Sequence, residues 1–393
     1  MRDLAAGPAN DRPGTTRPRV VFLIRDLNIG GAQRQLIELA SGLHRAGWPI
    51  SVFVFYDGGG LEADLRARGV PVTVLDKRGR WDTFGFWYRL LRALQERHPA
   101  ILHSYLGTEN IVGASLKPFL SGARLIWGVR SSTTDYRQFG RVPGLVSAAE
   151  RRLARFADLI ICNSTAGRDI HVAHGYPGRR MVVIPNGIDS ERYKPDTLAR
   201  VELRREWGVS DEQALVGLVA RLDPRKNHAA FLRAAASLVA EKNDVRFVCV
   251  GGGPETYRAA LVRDASDLGL DGHLIWAGDR LDMPRVYSAL DVLVSSSSWE
   301  GFPNVVAEAM ACGVPCVVTD AGDSRLVVGE TGWICRTEDG DDLAQALKSA
   351  IAQRGSLRGR GERARERIVG EFSIERLVRT TSERFVELLR DSR

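Results

Sequence analysis

Short runs of β-branched and aliphatic residues recur along this 393-residue chain, and each is followed by a stretch with apolar residues at helical spacing. The first series runs through Val20 to Ile24, Ile50 to Phe55, Val72 to Leu75, Ile101 to His103, Leu125 to Gly128, Leu159 to Cys162 and Val182 to Ile184. Helical patterns such as Gln33 to Ala46 and Phe86 to Gln95 lie between them. Parallel strands need a long crossover, and a helix supplies it, so the alternation predicts α/β architecture with a doubly wound, largely parallel sheet. The pattern then starts again with Leu215 to Val219, Arg246 to Val250, Leu274 to Ala277, Val292 to Ser295, Pro315 to Thr319 and Gly332 to Cys335. Two such units are expected, since the length exceeds that of a usual single core.

The break falls in the polar, Pro-containing stretch from Asp189 to Arg200. The expected organisation is a disordered, Pro/Gly-rich tail over 1–18, a first domain over 19–190 and a second over 191–372. Residues 373–390 place Ile374, Leu377, Val378, Thr381, Phe385, Leu388 and Leu389 on one helical face, an amphipathic terminal helix that must pack on something. The tail has no apolar core of a secretory signal, and no apolar run is long enough to span a bilayer. The five scattered cysteines sit mostly in strand-like runs and read as buried free thiols of a reducing cytoplasm. His171 and His174 lack a third ligand, and Cys312 and Cys316 lack a second pair, so no metal site is expected.

Charge is uneven. Residues 1–185 hold 26 Lys and Arg against 15 Asp and Glu, whereas the remainder holds 29 against 33. The basic first half suits an anionic partner: acidic lipid, a lipid diphosphate, or nucleic acid. No zinc finger or RNP signature accompanies it, so no nucleic-acid partner is expected.

The residues richest in chemistry run from Glu300 to Pro315, with Gly301, Pro303 and Asn304 suited to a turn and helix start and Gly313 and Pro315 to its end. Free amides near Asn304 and Val305 would attract an anion. Glu308 lies one turn inside, and helical side chains lean toward the N-terminus, so its carboxylate is expected to point at what those amides hold. In a second segment, Gly217 to His228, Arg221 and Lys226 would project from a strand's carboxyl end, where open α/β sheets bind ligands. A planar Arg fork and a Lys point charge suit a diphosphate, although a basic loop capped by Asn227 has the same residues. Gly30-Gly31-Ala32 opens the first helix without full GxGxxG spacing, and Gly251 to Pro254, including Gly253, follows a strand. Both allow close approach of a phosphate, or simply tight turns.

Taken with Asn163-Ser164 and Pro185-Asn186-Gly187-Ile188-Asp189, these motifs make the chain resemble the family 4 retaining glycosyltransferases of the GT-B architecture, two Rossmann-like domains facing across a cleft. The resemblance covers roughly residues 20 to 370. It implies that Arg221 and Lys226 bind a donor diphosphate, Glu308 the nucleotide ribose and Glu300 the transferred sugar. It also implies that the terminal helix returns to the first domain, and that a nucleoside-diphosphate sugar is the donor, with no cofactor and no obligatory metal. Asp339-Gly340-Asp341 superficially matches a metal-binding Asp-x-Asp, but helix capping accounts for it better.

Where many family members carry a His after the strand Leu125 to Gly128, this chain has Arg130. An Arg cannot act as a base but could hold sugar hydroxyls or the diphosphate. Ser131 and Ser132 stay open as alternatives there, and His103 closes a neighbouring strand either as a site residue or as a structural histidine. The expected acceptor is a glycan or a polyprenyl-diphosphate-linked sugar, as in bacterial surface polysaccharide or glycolipid assembly. The segment Lys77 to Arg92 interleaves Lys77, Arg78 and Arg80 with Trp81, Phe84 and Trp87, which suits peripheral contact with an anionic membrane at the cytoplasmic face, or a loop followed by an amphipathic helix whose Phe86, Leu90, Leu91 and Leu94 face the core. The rival readings are a nucleotide-sugar epimerase of the same architecture and a nucleotide-sugar-binding scaffold without catalysis.

Overall fold

The computed structural model describes residues 17–79, 81–130, 141–241, 244–336 and 340–390. The tail through residue 16, Arg80, Ser131, Ser132 and Asp339 lie outside them. The first sheet contains β1 (Val20–Ile24), β2 (Ile50–Val54), β3 (Val72–Val74), β4 (Ile101–Tyr105), β5 (Arg124–Val129), β6 (Leu159–Cys162) and β7 (Met181–Val183). All are parallel, in the order β3-β2-β1-β4-β5-β6-β7. The second contains β8 (Ala214–Val219), β9 (Val245–Val250), β10 (Leu274–Gly278), β11 (Val292–Ser295), β12 (Cys316–Thr319) and β13 (Trp333–Cys335), parallel in the order β10-β9-β8-β11-β12-β13. Helices cover both faces of each sheet, so the central strands are buried on both sides and read as unbroken apolar runs.

β4 runs two residues past its expected end at His103. Ser104 stays in the strand because its hydroxyl bonds the Asn110 side chain and the Ile126 carbonyl, and Tyr105 is buried with its hydroxyl accepting from Arg130. Polar groups satisfied inside the sheet look like a strand end in sequence.

Two chain crossings join the sheets, and they pair with each other: the Ile188 amide donates to the Phe372 carbonyl and Ile188 bridges to Ser373. Gln35 closes both polar groups of the Gly187 peptide, at 2.9 and 3.0 Å. Only glycine fits there, because a Cβ on Gly187 would lie 2.8 Å from the Ile374 Cα. The terminal helix Ile374–Arg390 then lies on the helix Gly31–Arg45 of the first sheet, burying Leu377 and Phe385. Trp48 fixes it, meeting Phe385 edge to face at 5.6 Å and donating to Ser382 Oγ at 3.0 Å.

Strand order reverses between β1 and β4 and again between β8 and β11, which is where parallel sheets open a crevice at their carboxyl ends. The segments leaving β1, β5, β6 and β7 meet those leaving β8 and β11 around one shared cavity.

Candidate active site

That cavity, of about 340 Å³, is walled by Gly31, Ala32, Arg130, Asn163 and Asn186 from the first sheet's strand ends. Arg221, Arg225, Lys226 and residues 299–302 and 304 complete it from the second. β8 ends at Val219, and the chain turns through the short 3-10 segment Pro224–Lys226. Asp223 shapes this turn: its carboxylate accepts from the Arg225 amide at 3.0 Å and from the Arg225 guanidinium at 3.0 and 2.6 Å. The Arg225 fork holds the Asp223 carboxyl down at about 2. Ser296 Oγ donates to the Lys226 carbonyl and the Ser298 amide to that of Arg225, tying the turn to the segment after β11.

Lys226 meets Glu300 at the centre. Glu300 Oε1 accepts from Lys226 Nζ at 2.5 Å and from Ser297 Oγ at 2.7 Å. Arg221 stands apart with its side chain 77% exposed and only a 3.9 Å approach to Asp223, leaving most of its donors open to a ligand. Behind Glu300 the helix Asn304–Ala311 begins without a side-chain cap, and its positive end faces the cavity at Asn304. The Asn304 and Ala307 amides bond the Phe302 and Pro303 carbonyls. Those of Val305 and Val306 have no acceptor among the described residues.

A polar relay crosses the cleft. Tyr105 accepts from Arg130 at 2.8 Å, Arg130 donates to Asn186 Oδ1 at 3.1 Å, and Asn186 Nδ2 donates to Asn304 Oδ1 at 2.9 Å. The guanidinium also lies 4.7 Å over the Tyr105 ring. Arg130 is therefore fixed at the cavity wall as a donor. His103, the other candidate, is fully buried among Phe22, Tyr105 and Phe385, and burial drives its pKa well down. It is not on the cavity wall.

Two family models match this chain. Glycosyl transferases group 1 covers residues 213–353, and Glycosyltransferase Family 4 covers residues 29–192. The chain belongs to the group 1, family 4 glycosyltransferases. It is 24% identical over 311 residues to an N-acetyl-alpha-D-glucosaminyl L-malate synthase of Bacillus anthracis, spanning 78% of this chain and 79% of that one. It is 29% identical over 243 residues to a UDP-Gal:alpha-D-GlcNAc-diphosphoundecaprenol alpha-1,3-galactosyltransferase of Escherichia coli, spanning 60% of this chain and 62% of that one. Structures of Anabaena Alr3699/HepE with UDP and with UDP-glucose superpose with TM-scores of 0.82 and 0.81, at 24% and 23% identity, covering 94% of this chain and 100% of theirs. The two facing α/β domains are the GT-B fold.

In this glycosyltransferase, Arg130, Arg221, Lys226, Glu300, Asn304 and Gly31 converge on one cavity. Gly30, Gly251, Gly253 and Val305, expected beside the phosphates, are not on its wall, and neither is Glu308. Gly251 instead lets β8 and β9 close up: its φ is +133° and a Cβ would sit 2.1 Å from the Ala220 carbonyl oxygen. A Cβ on Gly253 would meet Leu222, so both glycines pack the loop that presents Arg221. Glu308 lines a neighbouring cavity with Arg34, Gly187, Arg192 and Tyr193. Burial pushes its carboxyl up while a 2.7 Å hydrogen bond from Tyr287 holds it in place. His171 and His174 bond carbonyls of their own helix through Nδ1. Asp341 and Asp342 sit in the first turn of the helix Gly340–Ala352.

Sequence reasoning did not single out Asn163, Asn186, Arg225 or Trp299 as site residues. The first two stood in plain sight at strand ends, the position that carries ligand groups in such sheets. Arg225 was hidden by its neighbours Arg221 and Lys226.

Proposed function

We propose that this glycosyltransferase moves a sugar from a nucleoside-diphosphate donor to a glycan or lipid-linked acceptor with retention of anomeric configuration. The observation that carries the reading is the convergence of Arg221, Arg225 and Lys226 on an uncapped helix start with one carboxylate, Glu300, in their midst. Three cations and the helix end suit a diphosphate, and a carboxylate beside them suits sugar hydroxyls. Lys226 would exchange its bond to Glu300 for phosphate oxygens, freeing Glu300 for the sugar.

The two cavities flank one contact: Gly31, Ala32 and Asn186 border the first, and Arg34, Gln35 and Gly187 border the second. In this reading they form one groove, with sugar and diphosphate at Glu300 and the ribose at Glu308. Positive charge placed where the leaving oxygen develops its negative charge lowers the barrier to its departure. Arg130 cannot take a proton, so the departing diphosphate oxygen accepts the one released by the acceptor hydroxyl, which enters on the same face. No metal is required for any of these steps. Support for the donor class comes from the Anabaena neighbour solved with UDP-glucose, and support for a lipid-linked acceptor from the printed name of the E. coli relative.

Product analysis tests the reading. Incubation with nucleotide sugars and a lipid-diphosphate sugar should give a product whose new linkage keeps the donor's anomeric configuration by NMR. An inverted product would exclude the mechanism, and a recovered nucleotide sugar with a changed stereocentre would favour the epimerase.

A further inference from the structure

We propose that Asp323 is a positioning residue that closes the cleft, reaching from the second domain to cap a helix of the first. It stands between β12 and the short helix Ser324–Val328, at the N-cap position of that helix, yet makes no side-chain bond to it. Asp323 is 4% exposed, and its carboxylate accepts from the Thr165 amide at 2.7 Å and the Ala166 amide at 3.0 Å. Those amides open the helix Thr165–Ala173, which follows β6 in the first sheet.

The donors of that helix start can be counted. Ser164 Oγ takes the Gly167 amide at 3.0 Å and the Ser164 carbonyl takes that of Arg168. The remaining two, Thr165 and Ala166, are satisfied only from across the cleft among the described residues. A charged acceptor on two backbone amides at a positive helix end is among the stronger hydrogen-bonded contacts. Opening the cleft would strand all of these groups in a partly buried setting until water reached them.

The same residue holds the cavity wall. Its amide donates to the Gly301 carbonyl at 3.1 Å, and Gly322 before it passes so close that a Cβ would lie 2.2 Å from the Glu300 carbonyl oxygen. Opposite, Asn163 directly precedes the capped helix start, and a Cβ on Gly301 would approach its side-chain oxygen to 3.6 Å. Asp323 thus registers the Glu300–Gly301 turn against the Asn163 strand end, and closure and placement of Glu300 are one event.

The test uses the whole protein without donor, so it stands apart from the donor assignment. All five native cysteines are buried, so thiol-reactive spin labels at Glu96→Cys and Glu255→Cys, one on each domain, attach selectively. The interdomain distance should be narrowly distributed in the parent protein and longer and broader in Asp323→Ala, with Asp323→Asn between them because its amide oxygen still accepts. Thr165→Pro removes one donor at a helix position where proline is tolerated and should reproduce the opening even if Asp323→Ala folds poorly. Hydrogen exchange should rise about tenfold or more in the segment 163–168 and at residues 300–302 only. An unchanged distance distribution in Thr165→Pro or in folded Asp323→Ala, or exchange rising uniformly over the protein, would overturn the proposal.

Discussion

At the scale of single residues, the site turns on the Lys226–Glu300 pair, and its two members should fail differently. Lys226→Ala removes a cation from the leaving diphosphate and should cost on the order of 2 to 4 kcal/mol in transition-state stabilisation, read as kcat/KM. Glu300→Gln keeps the volume and should lower kcat with little change in affinity for free nucleoside diphosphate; an equal loss of nucleotide affinity would count against placing it on the sugar. Away from the cavity, Glu109 and Glu150 are buried beside Gly107 and Asn110, and burial lifts both carboxyls to about 7. Their unfolded value is 4.5, so between there and about 7 the native state holds more protons than the unfolded one. Their contribution therefore favours folding at low pH and is lost as pH rises through that window. Denaturant unfolding at pH 5 and 8 should show the parent losing on the order of 5 kcal/mol relative to Glu109→Gln/Glu150→Gln, and parallel profiles would refute the shift. At this scale legibility followed chain distance. Arg221 and Lys226 share one turn and could be read together, whereas Asn186 and Asn304 meet across 118 positions and Asp323 meets Thr165 across 158, separations that leave no periodic trace in sequence.

At the scale of elements, the strands were the most legible part. Parallel strands covered on both faces must be apolar throughout, so their residues stand out, and observed ends differ from expected ones by no more than two residues. What blurred the ends was satisfied polarity, as in Ser104 and Tyr105 of β4. Glycines read less simply. Gly251 follows a strand as a phosphate loop would, and its positive φ and close contact with Ala220 give it a packing reason of its own. Gly251→Ala should accordingly push the β8 end aside, destabilising the second domain by about 1 to 3 kcal/mol in denaturant unfolding and weakening nucleotide binding through Arg221. A variant as stable as the parent that lost nucleotide affinity alone would instead return Gly251 to the ligand. The apolar face of the terminal helix showed only that something covers it; that it returns to the first domain was implied by the family resemblance, and it lies there on the helix Gly31–Arg45.

At the scale of the whole molecule, the repeated βα pattern carried the two-sheet architecture, while the joining of the sheets rests on contacts such as Ile188 with Phe372 that only the folded chain brings together. The basic first half bears Trp81 and Phe84, 89% and 90% exposed, and Tyr88 alongside them. Phe119 packs on Trp87, and Lys117 bonds the Phe156 carbonyl. Arg151, Arg152, Arg155 and His174 line an open basic cavity of the same half. No helix among the described residues is long and apolar enough to cross a membrane. The expected behaviour is reversible docking on anionic vesicles at about 1 kcal/mol per basic residue near the surface, weakened by salt, with a salt-resistant part lost in Trp81→Ala/Phe84→Ala. Flotation without preference for anionic lipid would point to a soluble acceptor. The central claim, that the cleft grips a nucleoside diphosphate through cations without metal, is met most directly by calorimetric titration of UDP, GDP, ADP, CDP and dTDP in EDTA into the parent protein and Lys226→Ala. At least one of the five should bind the parent, with affinity falling tenfold or more in the variant; binding of none, binding only after magnesium or manganese is restored, or equal affinity for the variant would contradict that claim.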